Sequence, residues 1–211
     1  TNDAKLFNMD PAEYAKVISD HGMKVVATHT SYFEVGEVNA FIDASKAAGI
    51  EYVIIPYTPD EKRSDWMQVA DNFNKIGEAM KAAGLKFGYH NHAFEFESAG
   101  DDLVFDLLLK NTQADLVDFE MDLYWVTKGG QNPMDYIKKY PGRFCSYHVK
   151  DATAGDMEQT TVGTGIIDFR ALLKARDEAG LKYYFVEDER RDDPFANMEA
   201  NFKYISTADF S

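Results

Sequence analysis

Several short apolar runs of the chain close on residues that could bind a metal. His90, Asp122, His148 and Glu187 offer two imidazoles and two carboxylates. A mixed N/O donor set of this kind suits Mn²⁺, Zn²⁺, Co²⁺ or Fe²⁺ better than Ca²⁺. The four stand 32, 26 and 39 residues apart (90→122→148→187), each gap about one strand-plus-helix unit. No local metal motif such as His-Glu-x-x-His is present, so only a fold could gather them. A lone His or Asp at a strand end is more often a loop hydrogen-bonder than a ligand. Five runs ending alike favour a site.

The elements that must position these residues alternate regularly. Asp10-Pro11 reads as a helix start, with the helix running to about His21 and stopped by Gly22. His21 then lies at a helix end, a favourable place for a cation. Further helices are expected at 36–48, 61–83, 103–110, 133–140, 169–179 and 194–205. Strands are expected at 24–29, 52–57, 87–90, 117–122, 144–148 and 183–187. Gly22-Met-Lys, Gly84-Leu-Lys and Gly180-Leu-Lys repeat one helix-stop-then-strand pattern. Strands separated by helices must run parallel.

Side-chain parity puts Val25, Ala27 and His29 on one face. Gly88, His90 and His92 form another such set, as do Asp118, Glu120 and Asp122; Phe144, Ser146 and His148; and Tyr183, Phe185 and Glu187. No glycine-rich phosphate turn follows the first strand, which disfavours a doubly wound sheet. The fold expected is an α/β (β/α)8 TIM barrel, whose active sites lie where the carboxyl ends of the strands converge.

The length of 211 residues fits one domain, 1–211, and the 45% hydrophobic content fits a folded core. Thirty-six acids against 22 bases leave a net charge of −14, which argues against nucleic acid and anionic membrane as partners. No apolar run is long enough to span a bilayer, and Thr1 to Asp10 lack the layout of a signal peptide. A cytoplasmic protein is expected, or a periplasmic one if a leader has been removed. Homo-oligomerisation is left open. Cys145 is the only cysteine; it reads as a buried strand residue and excludes an intrachain disulfide or a thiolate metal cluster.

Tyr89-His-Asn-His92 with Glu95, Asp122-Leu-Tyr-Trp125, His148-Val-Lys-Asp151, Gly163-Thr-Gly165 with Asp168-Phe169, and Val186-Glu-Asp188 together resemble the sugar phosphate isomerase/epimerase family. That family belongs to the xylose isomerase-like TIM barrels, a superfamily that also includes inosose dehydratases and ketose 3-epimerases. The resemblance spans nearly the whole chain. It implies a divalent ion (Mn, Zn, Co, Fe or Mg) held by residues of consecutive late strands. Asp122, His148 and Glu187 match the last three ligands, and the first falls at or near His90, with His92 and Glu95 as alternatives, where the epimerases carry a glutamate. It also implies that the chain opens after the family's first strand, first helix and second strand, so that about six βα units are visible.

The activity so implied is sugar isomerisation or epimerisation. A proton next to a carbonyl is removed, giving a metal-stabilised enediolate. Glu187 is the expected base, and His90 or His92 returns the proton or assists loss of a hydroxyl. His29, Glu95, Trp125, Lys150 and Asp151 are expected at the substrate or behind the ligands. Tyr57 joins Trp125 as a wall for a sugar ring, and Gly163-Thr-Gly165 is expected to present N–H groups. Because the first glutamate is replaced, a dehydratase or lyase acting on a keto-sugar or keto-inositol is the alternative, and a non-catalytic sugar-binding barrel the third. No Arg/Lys-rich phosphate clamp is evident, which favours an unphosphorylated sugar or polyol.

Overall fold

The computed structural model describes residues 9–208; the polar opening at 1–8 lies outside them. The chain divides into two compact units. One comprises the chain up to His90 together with Asp106–Asp118, and the other Asn91–Phe105 together with the chain from Phe119 onward.

The first unit carries α1 (Pro11–Asp20), β1 (Ala27–His29), α2 (Val38–Ala48), β2 (Tyr52–Ile55), α3 (Trp66–Ala82), β3 (Lys86–His90) and most of α4 (Val104–Asn111). Its strands pair in parallel, β1 with β2 and β2 with β3. Asp10 caps α1 by accepting from the amides of Ala12 and Glu13. β1 is shorter than the 24–29 expected because its partner begins only at Tyr52, which pairs with Ala27. The long helix begins at Trp66 rather than 61, since Asp65 accepts from Gln68 N and fixes the N-terminus there. Phe33, Phe41, Phe73, Phe87 and Tyr89 form the aromatic core, with the rings of Phe33 and Phe41 stacked 4.0 Å apart. Gly22, Gly84 and Gly180 end their helices at φ of 71°, 79° and 83°, where a Cβ would be strained.

In the second unit, β4 (Ser98–Ala99) and β5 (Asp102–Leu103) form a small antiparallel pair. The parallel strands are β6 (Val117–Asp122), β7 (Phe144–Val149) and β10 (Tyr183–Val186), paired β6–β7 and β7–β10. Between them come α5 (Leu123–Lys128), α6 (Pro133–Lys139), the antiparallel pair β8 (Asp151–Ala152) and β9 (Gln159–Thr160), α7 (Phe169–Lys174) and α8 (Arg176–Ala179). The last helix is α9 (Pro194–Thr207). The single helix expected at 169–179 is thus two, separated at Ala175.

A bulge corrects the parity of β7. Phe119 pairs with Phe144, yet Glu120 pairs with Ser146 and Asp122 with His148, so Cys145 is the extra residue. Phe144 therefore shares the side of Phe119, and both rings lie against Phe105 of α4 at 6.4 and 5.5 Å. Ser146 and His148 face the other way. Cys145 is buried, with its Sγ 3.5 Å from Phe119 O.

Candidate functional site

In the second unit, register turns strand-end chemistry into a cluster. Glu120 stands opposite Ser146, Asp122 opposite His148, and His148 opposite Phe185. One step further on, Glu187 N donates to Val149 O, which brings the Glu187 side chain beside Lys150. Both nitrogens of His148 face carboxylates. Nε2 is 3.2 Å from Glu120 Oε2, while Nδ1 is 2.9 Å from Glu187 Oε2 and 3.7 Å from Asp122 Oδ2. Lys150, only 1% exposed, has its Nζ 2.8 Å from the same Glu187 oxygen, 3.1 Å from Glu189 and 3.7 Å from Asp122 Oδ2.

These contacts shift protons in the metal-free protein. Burial works against a charged His148, but Asp122, Glu120 and Glu187 outweigh it and hold the imidazole well above the ordinary histidine range. Burial would raise the Glu187 carboxyl, yet His148 and Lys150 overcome it and bring it down to about 2. For Lys150, burial is again opposed by Asp122, Glu187 and Glu189, leaving the ammonium above its usual value. Even with His148 protonated, four carboxylates (Glu120, Asp122, Glu187, Glu189) face two cations. The cluster sets acidic oxygens beside one imidazole, and of the four acids Glu120 and Asp122 are buried, at 1% and 0% side-chain exposure. Its donors therefore fit a divalent cation.

Asp122 divides its carboxylate. Oδ1 caps α5 by accepting from Trp125 N at 2.9 Å, and Oδ2 is the oxygen directed at His148 and Lys150. The fully buried Asn91 fixes its backbone: Asn91 Oδ1 accepts from Asp122 N at 3.0 Å. Glu95, also fully buried, accepts from His92 N at 2.8 Å and shapes the turn that follows β3. The His92 ring lies 5.5 Å from Trp125. Lys150 Nζ stands 5.6 and 5.5 Å from the Tyr124 and Trp125 ring centroids, a cation–π contact.

Asp151 and the glycine loop serve each other. The Asp151 carboxylate accepts from the amides of Gly163 and Gly165 at 2.9 Å, Ile167 at 3.2 Å and its own neighbour Ala152 at 2.9 Å. The loop amides expected to meet substrate are thus directed at Asp151. A Cβ on Gly165 would collide with Ala152 O and the Asp151 carboxylate, so a side chain has no room there. Asn201 of α9 ties the loops together, accepting from Val162 N at 2.8 Å and donating to Asp188 at 2.8 Å, while Arg190 pairs with the same Asp188.

The remaining expected residues belong to the first unit. His90 is buried at the end of β3, its Nδ1 3.4 Å from Pro56 O, and exposed His29 ends β1 with its ring 5.2 Å from that of His90. Tyr57 is exposed; its hydroxyl donates to Asp60 and its ring lies under Arg63.

A profile of the xylose isomerase-like TIM barrels matches residues 2–208. The chain belongs to this family. A sugar phosphate isomerase/epimerase of known structure from Parabacteroides distasonis superposes with a TM-score of 0.85 at 28% identity, over 99% of this chain and 85% of that one. The inosose dehydratase of Clostridium beijerinckii is 27% identical over 161 residues, which is 68% of this chain and 52% of that protein. A structure of the IOLI protein with a bound zinc atom shares the fold, with a TM-score of 0.74 at 17% identity over 95% of this chain and 81% of that one. The chain spans about half the length of the first curated relatives it matches.

Within this xylose isomerase-like chain, strand parity picked out Glu120, Asp122, Ser146, His148 and Glu187, but not the contacts made by Ser146, Asn91 or Asn201. Asn91 carried a signal, standing between the two candidate histidines His90 and His92; Asn201 sits on an otherwise ordinary helix.

Proposed function

We propose that the protein is a divalent-metal-dependent sugar isomerase or epimerase that removes a proton next to a carbonyl of a small polyhydroxy substrate. The observation that carries this reading is the mixed N/O donor set that meets at His148, with Glu120 at one ring nitrogen and Asp122 and Glu187 at the other. Asp122, His148 and Glu187 are the proposed ligands, with His90 as the fourth on the sequence argument; Mn, Zn, Co, Fe and Mg are the candidate ions. The isomerase/epimerase name of the Parabacteroides relative and the zinc in the IOLI structure support it.

When bound, such an ion supplies positive charge beside the carbonyl and the neighbouring hydroxyl oxygen, making the adjacent C–H more acidic. Glu187 enters the reaction ionised and is the base. A carboxylate as acidic as about 2 is a poor proton acceptor, so its contacts with His148 and Lys150 must loosen as substrate enters. Lys150 then turns its ammonium toward a substrate oxygen, and Trp125 offers a ring face to the carbon skeleton. His92, beside Trp125, is the proposed group that returns the proton, with His90 as the alternative. His29 is a proposed substrate contact, whereas Glu95 and Asp151 act on the backbone that frames the site.

Elimination is the second reading, favoured by the inosose dehydratase name of curated relatives. Both share the first step. The test is incubation with unphosphorylated keto-sugars and keto-inositols in D2O with Mn²⁺, Co²⁺ or Zn²⁺. Deuterium in recovered or isomerised sugar supports isomerisation, and an unsaturated product supports elimination. Glu187→Gln should abolish either, by about 100-fold or more. A variant that changed neither turnover nor metal affinity would leave only sugar binding.

A further inference from the structure

Glu120 is 1% exposed and lies between two residues of β7. Its Oε1 accepts from Ser146 Oγ at 2.9 Å, and its Oε2 is 3.2 Å from His148 Nε2. Asp122 and Glu187 meet the opposite nitrogen, Nδ1. An imidazole that coordinates a metal uses one nitrogen and keeps N–H on the other, and that N–H needs an acceptor. A carboxylate acceptor fixes the ring's orientation and tautomer and makes the ligating nitrogen more basic.

The bulge at Cys145 makes this arrangement possible. In unbroken register with Phe119 opposite Phe144, Glu120 would stand opposite Cys145 and Asp122 opposite Tyr147. With the bulge, Glu120 stands opposite Ser146 and Asp122 opposite His148. One extra residue thus aligns the anchoring hydroxyl, the carboxylate and the imidazole in one line, with the proposed ligands at its end.

We propose that Glu120, anchored by Ser146, is a positioning residue that reserves Nε2 of His148 as an N–H donor and so presents Nδ1 to the divalent ion. This rests on the reading that Asp122, His148 and Glu187 hold such an ion. It gives Glu120 a role distinct from that of a ligand, although it lies as near His148 as the proposed ligands do. It also makes the imidazole electron-rich, which favours Zn²⁺ or Co²⁺ over Mg²⁺.

The test uses the whole protein with zinc as probe. In histidine-15N-labelled, zinc-loaded wild type, NMR should show His148 bound through Nδ1 with a proton on Nε2. Competition with a chromophoric chelator should show zinc affinity reduced 10–100-fold in Glu120→Gln. Ser146→Ala, which keeps the carboxylate but removes its anchor, should fall between that variant and wild type. Should Glu120→Gln fail to fold, the wild-type NMR and Ser146→Ala still decide. Coordination through Nε2 with Glu120 as a ligand, or unchanged affinity in both variants, overturns the inference while leaving the metal reading intact. Wild type that binds no divalent ion removes both.

Discussion

His148 is where charge and protonation meet, because the three carboxylates around its ring can be offset by a proton on the imidazole or by a metal ion bound to it. In the metal-free protein its raised pKa means that the charged ring stabilises the fold. That contribution is fully present below the ordinary histidine pKa of about 6.5 and is lost as pH rises through the higher folded value. With His148 as the proposed ligand, a metal ion must displace the proton, so apparent metal affinity should rise with pH across the same window. Calorimetric titration in buffers of different ionisation enthalpy should show release of about one proton per ion near neutral pH. Release of none would mean that His148 is not a ligand. Glu187 has the opposite sign. Its carboxyl, lowered to about 2 from 4.5, contributes stability above the unfolded value that is lost as pH falls toward the folded one. Acid titration of metal-free Glu187→Gln should therefore show a shallower loss of stability between those two values than wild type. At this scale Asp122, His148 and Glu187 were legible from parity and spacing, because a strand that ends on a polar residue of its inward face leaves a visible trace. The partners of Ser146 and Asn91 were not, since a single hydroxyl or amide is indistinguishable from a solvated one until the fold supplies its contact. Asp151 reads from the sequence as a substrate contact because it follows the candidate ligand His148, whereas in the folded loop four amides converge on its carboxylate.

The elements around the site are held by such long-range polar contacts more than by helix propensity. β8 and β9 contribute two residues each, too few to fix the segment 151–168 alone. The Asp151 carboxylate does much of that work. Asp151→Ala should destabilise the protein by at least about 2 kcal/mol, since buried amides left without acceptors cost about 1–3 kcal/mol each, measured by urea unfolding. A loss within about 0.5 kcal/mol would mean that the loop holds its shape unaided. In the first unit, a Cβ on Gly77 of α3 would collide with Leu116 O. Gly77→Ala should thus destabilise the fold despite the better helix propensity of alanine; added stability would show that α3 can move away. The order of the six parallel strands and the longer helices was legible, because glycine stops and Asp-Pro or Asn-Pro starts punctuate the helices; the two-residue strands β4, β5, β8 and β9 were not. The bulge at Cys145 was not, as no residue type there demands one. Nor was α5, only six residues long and started by the Asp122 carboxylate, because Asp122 reads equally as a strand-end ligand.

At the scale of the molecule, the net charge of −14 and the buried carboxylates act together. An acidic surface attracts divalent cations and repels phosphate backbones, and among the described residues no helix is long and apolar enough to cross a membrane. The (β/α)8 family was legible in the alternation of elements and in the motifs at the strand ends, and it is the family to which the chain belongs. Substrate identity is not written at this scale, because relatives of one fold carry both isomerase/epimerase and dehydratase names. Both proposed readings share the divalent ion. The most direct test is thermal unfolding of the metal-free protein with added Zn²⁺, Mn²⁺ or Co²⁺, compared with Asp122→Asn and Glu187→Gln. At an ion concentration 100 times its dissociation constant, wild type should gain about 2.7 kcal/mol, a rise in Tm of about 5–11 °C, and both variants most of that less. A wild type whose Tm none of the three ions moves, or variants that gain as much, would contradict a divalent-metal centre at His148.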